Sequence, residues 1–371
     1  MIRVGIVGIG FMGWIHWLAY QKMRGVQVAA ISTRDKRRLA GDWRGIQGNF
    51  GPPGEQVDLK NVAAHAELDD LLADERIDLV DITLPTYLHA DVAVRALRAG
   101  KHVLCEKPMA LRLRDCKRMV AAADKAGSKE RGAGSKESRK RKSGSTLPAP
   151  RSLLFIAHVL PFFPEYQWAL KVINSGKYGR VLGGAFRRVI VDPPWAKNFW
   201  SPEHIGGPML DLHIHDAHFI RLLFGMPEAV TTQGRARNGL PAFWHTQFRF
   251  ADRNLTVEAT SGTIDQPGRP FTHGFEIHLE RATLAFEFAV IGGDARYLCE
   301  PVLLDNKGRV ERPKLPGADP VDAFVEELSE VARSIRAGRP SRILGAELAQ
   351  DAMRICEAQS ASLLRGRTVK L

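Results

Sequence analysis

Apolar residues in the first third of the chain fall into short blocks separated by stretches with a helical repeat. The blocks Arg3 to Val7, Val26 to Ser32, Val62 to His65, Leu79 to Leu84 and His102 to Cys105 are short and apolar, as strands are. Between them apolar positions recur every three or four residues from about Gly13, Asp35, Ala66, Leu88 and Arg112, which predicts helices. Such alternation implies right-handed crossovers and a doubly wound parallel sheet, an α/β Rossmann domain over residues 1–126. From Leu153 the pattern lengthens. Alternating segments around Val181 to Val191, Ala229 to Arg235, His245 to Phe250, Leu255 to Gly262 and Phe275 to Phe288 predict a large, mostly antiparallel sheet. Helices are expected near Glu165 to Ser175, Met209 to Phe224, Pro320 to Ala337 and Gly345 to Leu364, so residues 151–371 read as a C-terminal α+β domain for substrate binding and oligomerisation.

Residues 127–150 break both patterns. They hold almost no apolar side chain and are rich in Gly, Ser, Lys and Arg, too little to offset the entropy of ordering, so a disordered basic insertion is expected there. This tract also reshapes the charge argument. The chain carries +12, but within residues 128–150 seven Lys and Arg against two Glu account for +5, and the rest is spread thinly. Nucleic acid is therefore not the expected partner. A length of 371 residues suits two domains, and no apolar run approaches the roughly 20 residues of a membrane span. The chain enters its first strand without a charged leader, and its four cysteines are widely spaced with no Cys-x-x-Cys pair. A soluble, cytoplasmic, unprocessed protein is the expectation.

Gly8-Ile9-Gly10-Phe11-Met12-Gly13 follows the first strand directly and opens a helix, the context in which Gly-x-Gly-x-x-Gly binds a dinucleotide. Gly8 permits the tight turn, Gly10 lets main-chain amides approach a pyrophosphate, and Gly13 lets helix and strand pack closely. The end of the second strand decides between cofactors. An NAD enzyme usually places an acid there for the ribose 2′-hydroxyl, whereas this chain has Ser32-Thr33-Arg34 and no acid before Asp35. Hydroxyls and a guanidinium suit a 2′-phosphate, so NADP is expected ahead of NAD, with Arg37 and Arg38 as reinforcement.

Two further stretches carry a family resemblance. Ile82-Thr83-Leu84-Pro85-Thr86-Tyr87-Leu88-His89, followed by Ala99 to Pro108 with its Glu106-Lys107-Pro108 turn, resembles the cofactor-side signature of the glucose-fructose oxidoreductase and inositol dehydrogenase family, Gfo/Idh/MocA. Gly206-Gly207-Pro208-Met209-Leu210-Asp211-Leu212-His213-Ile214-His215-Asp216 resembles its second-domain element, and Ser360 to Val369 its C-terminal end. The resemblance implies a nicotinamide-dependent sugar or polyol oxidoreductase in which Thr83, Leu84, Pro85, His89, Glu106 and Lys107 line the cofactor side. It implies that Lys107 stands beside the nicotinamide, with Pro108 holding the turn through a cis bond, and that Asp211 and His215 act on the same carbon.

The chemistry asks for these residue types. Oxidising a carbinol needs an acceptor for the hydroxyl proton, and imidazole titrates near neutrality, which marks His215 as the base. A Lys ammonium on the same oxygen stabilises developing alkoxide, and Asp211, one turn before His215, orients substrate. Where the family often has an acid three residues after the motif histidine, this chain has His218. Asp211, His215 and His218 have a spacing that fits a metal, but no further ligand is evident and no metal is expected; His218 reads instead as a substrate residue. Trp195, Lys197 and Trp200, just before the Gly206-Gly207 turn, are candidates to stack on and bond a sugar ring. Two other functions compete: a glycosidase that acts by transient oxidation with tightly bound nicotinamide, and a non-catalytic dinucleotide sensor. A homodimer or homotetramer through the C-terminal sheet completes the expectation.

Overall fold

A computed structural model describes residues 1–133, 152–193, 196–317 and 319–371. It divides the chain into two compact units: residues 1–158 with 319–350, and residues 159–318 with 351–371. The expected insertion at 127–150 lies mostly outside the described residues, although its first part, up to Ala133, continues a helix.

In the first unit, strands β1 (Ile2–Val7), β2 (Val26–Ser32), β3 (Ala63–His65), β4 (Leu79–Ile82), β5 (His102–Glu106) and β6 (Leu154–Ala157) form a six-stranded sheet in the order β3-β2-β1-β4-β5-β6. Every pairing in it is parallel. Helices α1 (Phe11–Gln21), α2 (Lys36–Leu39), α3 (Leu68–Ala73), α4 (Thr86–Arg98) and α5 (Leu113–Ala133) alternate with the strands. Strand order reverses between β1 and β4, and such a switch point is where doubly wound sheets open a crevice at their carboxyl ends.

The unit is larger than the sequence pattern indicated. β6 completes its sheet, and α8 (Pro320–Ala337) returns to it from far along the chain. α8 starts where Asp319 accepts from the Val321 N–H at 3.0 Å and ends on Gly338 in the left-handed region. Its buried Val321, Phe324, Leu328 and Val331 repeat at helical spacing, and Lys22 at the end of α1 reaches Asp319 and Asp322 at 2.7 and 2.8 Å.

The second unit holds a nine-stranded sheet among the described residues, built from β7 (Val181–Val191), β8 (Ala229–Arg237), β9 (Leu240–Arg249), β10 (Thr256–Ile264), β11 (Phe271–Leu279), β12 (Ala282–Ile291), β13 (Asp294–Asp305), β14 (Val310–Glu311) and β15 (Val369–Lys370). Its order is β14-β13-β12-β11-β7-β10-β9-β8-β15, antiparallel except where β7 meets β10. The continuous alternation from Phe275 to Phe288 is two strands, β11 and β12, joined at Glu280 and Arg281. Helices α6 (Pro164–Asn174) and α7 (Ile214–Phe224) pack on the sheet through Tyr166, Phe219, Phe275 and Phe286, whose rings meet mostly edge to face. The last helix, α9 (Ala346–Arg365), follows α8.

Candidate active site

β1 runs into Gly8, whose φ of +99° is one that L side chains avoid and where a Cβ would stand 2.8 Å from Leu84 Cδ2. At Gly13 a Cβ would approach the Gly8 carbonyl oxygen to 2.4 Å, so α1 and the turn touch through main chain. Thr83 donates its hydroxyl to that same carbonyl at 2.6 Å and pins the turn to the end of β4. Gly10 is different. It is the N-cap of α1, a Cβ there would meet nothing within 4 Å, no side chain caps the helix and its first turn has no acid. The start of α1 thus has no side-chain cap, no acid in its first turn and open space beside Gly10, which fits the pyrophosphate of a dinucleotide. The Phe11 ring turns to Phe50, 4.8 Å between centroids, so Phe11 offers the site main chain rather than its ring, and Met12 is half-buried.

At the end of β2, Ser32 is buried, Thr33 half-buried and Arg34 exposed. Asp35, the nearest carboxylate, is occupied as the cap of α2, accepting from Arg37 N at 2.9 Å and Arg38 N at 3.3 Å. Among the described residues Arg34 has no ion-pair partner. The residues fit a cofactor carrying a 2′-phosphate.

β5 delivers Glu106, Lys107 and Pro108 to the same edge of the sheet, and the Lys107–Pro108 bond is cis. Lys107 is half-buried, whereas the Glu106 side chain points inward and one of its oxygens accepts the Lys107 main-chain N–H at 3.0 Å. His89 lies behind this turn. Its ring nitrogens stand 2.9 Å from the Pro108 oxygen and 2.8 Å from the Leu84 oxygen, and burial holds its pKa below the ordinary value despite those carbonyls. His89 therefore braces the two cofactor-side segments, and Pro85 opens α4 between them. A separate cavity of about 270 Å3, bordered by Trp17, Tyr20, Gln27 and Lys60, opens at the start of β2, the opposite end of the sheet from this site.

In the second unit Gly206 and Gly207 both take positive φ, +84° and +70°, and lead into one π-helical stretch, Met209–His213, that continues as α7. The inward side is tied down. Asp216 receives two hydrogen bonds from Arg188 of β7, at 2.7 and 3.0 Å, and His213 contacts Ser261 at 2.7 Å and Gln359 at 3.1 Å. Burial lowers the His213 pKa to about 4, so it stands there as a neutral ring. Asp211 and His215 are half-buried while residues 212–214 and 216–220 are buried, which puts the two expected residues on the one accessible side. His218 is fully buried, so its ring has no surface for a sugar, against the sequence expectation. Trp200 donates to Asp192 at 2.8 Å and lies under the Arg237 guanidinium, 4.8 Å from the ring centre, so one of its faces is already covered. Lys197 is exposed, and Trp195 lies outside the described residues.

Residues 2–130 match the oxidoreductase family with an NAD-binding Rossmann fold, and residues 166–285 match the Gfo/Idh/MocA C-terminal domain. The chain belongs to the Gfo/Idh/MocA family. Among its relatives in this family, a 2,7-anhydro-N-acetylneuraminate hydratase of Mediterraneibacter gnavus is 31% identical over 290 residues, 71% of this chain and 66% of that protein. The 1,5-anhydro-D-fructose reductase of Ensifer adhaerens is 27% identical over 221 residues, 53% of this chain and 59% of the reductase. The chain thus spans little more than half the length of several curated relatives. A levoglucosan dehydrogenase solved with NADH shares the fold, with a TM-score of 0.74 at 21% identity over 100% of this chain and 98% of that one.

Sequence reasoning missed a buried group of ionisable side chains in the first unit: His16, Asp81 and Glu327, with Tyr20. The signal was there, a histidine inside the apolar run Trp14-Ile15-His16-Trp17 and an acid inside the buried strand Leu79-Val80-Asp81-Ile82.

Proposed function

We propose that this protein is an NADP-dependent dehydrogenase or reductase of a sugar, inositol or related polyol, with Lys107, Asp211 and His215 as its catalytic residues. The observation that carries it is within the first unit: the open, uncapped N-terminus of α1 at Gly10 and the Lys107 turn share the carboxyl edge of one parallel sheet. Main-chain amides of the Gly8 to Gly13 turn hold the pyrophosphate, and Ser32, Thr33 and Arg34 hold the 2′-phosphate. Bound nicotinamide supplies the two-electron acceptor or donor. The Lys107 ammonium bonds the carbinol oxygen and stabilises negative charge as it develops. His215 takes the hydroxyl proton in oxidation and returns it in reduction, while the Asp211 carboxylate orients the substrate.

Four free cysteines, three of them buried, support a cytoplasmic setting. Exposed Tyr297, Leu298, Leu304 and Val310 on β13 and β14 support a homodimer or homotetramer built on the large sheet. Among the described residues no helix is long and apolar enough to cross a membrane.

The test is a panel of myo-inositol, D-glucose, levoglucosan and 1,5-anhydro-D-fructose with NADP(H) and NAD(H), followed by nicotinamide absorbance and by product chromatography. Turnover of at least one member with net change of NADP(H) is expected. Product without net nicotinamide change would move the reading towards the chemistry of the hydratase relative, and no nicotinamide binding at all would end it.

A further inference from the structure

Ionisable side chains of the first unit are buried around one imidazole. His16, on α1, has no solvent exposure, and its Nδ1 stands 2.8 Å from Asp81 Oδ2 on β4. Its Nε2 is 3.1 Å from Glu106 Oε1 at the end of β5, an ion-pair distance without the alignment of a hydrogen bond. Tyr20, one turn along α1, donates to the same Asp81 oxygen at 2.9 Å. From α8 the Phe324 ring packs 5.8 Å from the imidazole, and Glu327 is wholly buried with neither carboxylate oxygen hydrogen-bonded among the described residues. Tyr20, Asp81, Glu106 and Glu327 are the titratable groups around His16. The other Glu106 oxygen, Oε2, holds the main-chain N–H of Lys107.

A neutral imidazole has one N–H and serves one carboxylate, whereas a doubly protonated ring serves both. Burial alone would push the His16 pKa down; Asp81 and Glu106 overcome it and hold the ring well above its ordinary value. Burial and then the Glu106 charge push the Glu327 carboxyl up, so it sits beside the group as a neutral acid. A buried ion group of this kind is a poor source of stability compared with apolar side chains of like volume, which points to a use elsewhere. What it touches is the residue before Lys107.

We propose that His16 is a positioning residue: by spanning Asp81 and Glu106 it locks the Glu106 carboxylate on the Lys107 main-chain N–H and so sets where the Lys107 ammonium stands. The inference rests on the reading of Lys107 as the group at the carbinol oxygen. It also accounts for both Glu106 oxygens being engaged, Oε1 beside His16 and Oε2 on the Lys107 amide.

Glu106-Lys107 is the one Glu-Lys dipeptide of the sequence, so carbonyl-13C glutamate with 15N lysine gives the Lys107 amide as a single NMR correlation. In the parent this amide proton is expected downfield and protected from exchange. In His16→Gln and in Glu106→Gln it moves upfield and exchanges faster and kcat on the active panel member falls on the order of 100-fold, as for a misplaced catalytic group, while in His16→Gln NADPH affinity measured by fluorescence is unchanged. In 15N-histidine spectra of the parent the His16 ring keeps both protons from about pH 6 to about pH 8. A ring that loses a proton in that window, an amide unmoved in both variants, or an amide that moves with kcat intact overturns the proposal. These spectra need no turnover, so they separate its failure from that of the dehydrogenase reading. A parent that binds no NADPH and turns over nothing sinks that reading, and this role with it.

Discussion

Replacing His215 by Ala removes the group assigned to the carbinol proton and leaves the Gly8 turn and Arg34 as they are. Turnover should fall by about 100- to 10,000-fold, with NADPH affinity in a fluorescence titration nearly unchanged. Equal turnover in parent and variant would remove His215 from the mechanism. At the end of β2 the exposed Arg34 and the engaged Asp35 carboxylate carry a second expectation. NADPH should bind on the order of 10- to 100-fold more tightly than NADH, and Arg34→Ala should erase most of the difference; tighter NADH binding by the parent defeats the NADP assignment. At this scale the sequence was informative where one short segment carries the whole signal. The glycine turn and the Glu106-Lys107-Pro108 turn are contiguous, so their residue types and order could be read directly. His218 was misplaced because helical spacing shows that a residue lies near a face, not how deep its ring is buried. His16 and Asp81 escaped because a buried charge has meaning only beside its partner, here 65 residues away.

Among the elements, α7 owes its setting to a buried ion pair. Asp216→Ala would leave the Arg188 guanidinium buried without its carboxylate, at a cost of about 3 to 5 kcal/mol in urea unfolding followed by circular dichroism. A loss below about 1 kcal/mol would mean that the surrounding sheet, not this pair, holds the helix. On α8, Glu327 carries a pH dependence. Its folded pKa is raised, so the native state holds a proton that the unfolded chain gives up above about 4.5, and its stabilising share is present below that pH and lost as pH rises through the folded value. Glu327→Gln keeps the uncharged form at every pH. Its melting temperature should match the parent near about pH 4 and exceed it by a margin that widens towards about pH 9. A constant margin would show that the carboxyl is not protonated in the fold. Periodicity found α8 over its full length but not its destination, since an amphipathic face shows that something covers it and not what. The β11–β12 hairpin was read as one segment because its turn, Glu280-Arg281, has neither Gly nor Pro to punctuate it. β13 was missed altogether, as its first five residues are exposed and carry no alternation.

For the molecule as a whole, the exposed apolar residues of β13 bear on assembly. Leu298→Glu with Leu304→Glu, at 48% and 42% exposure, should lower the mass measured by light scattering to that of one chain without loss of helix or strand signal. An unchanged mass would place any subunit interface elsewhere. The switch from β-α alternation to long alternating strands marks where the parallel sheet gives way to the mostly antiparallel one, whereas nothing in the pattern tells that residues 319–350 group with the first unit. That first unit also has an optical property. All its tryptophans, Trp14, Trp17 and Trp43, form one edge-to-face group, and the buried Trp43 indole donates to the Arg38 carbonyl at 2.9 Å, a few residues beyond the proposed 2′-phosphate site. Indole emission overlaps the absorption band of reduced nicotinamide, so these three rings make an intrinsic donor set for resonance energy transfer. Excited at the tryptophan band, the protein would report loading with NADPH as sensitised nicotinamide emission, without a dye, a tag or a known substrate.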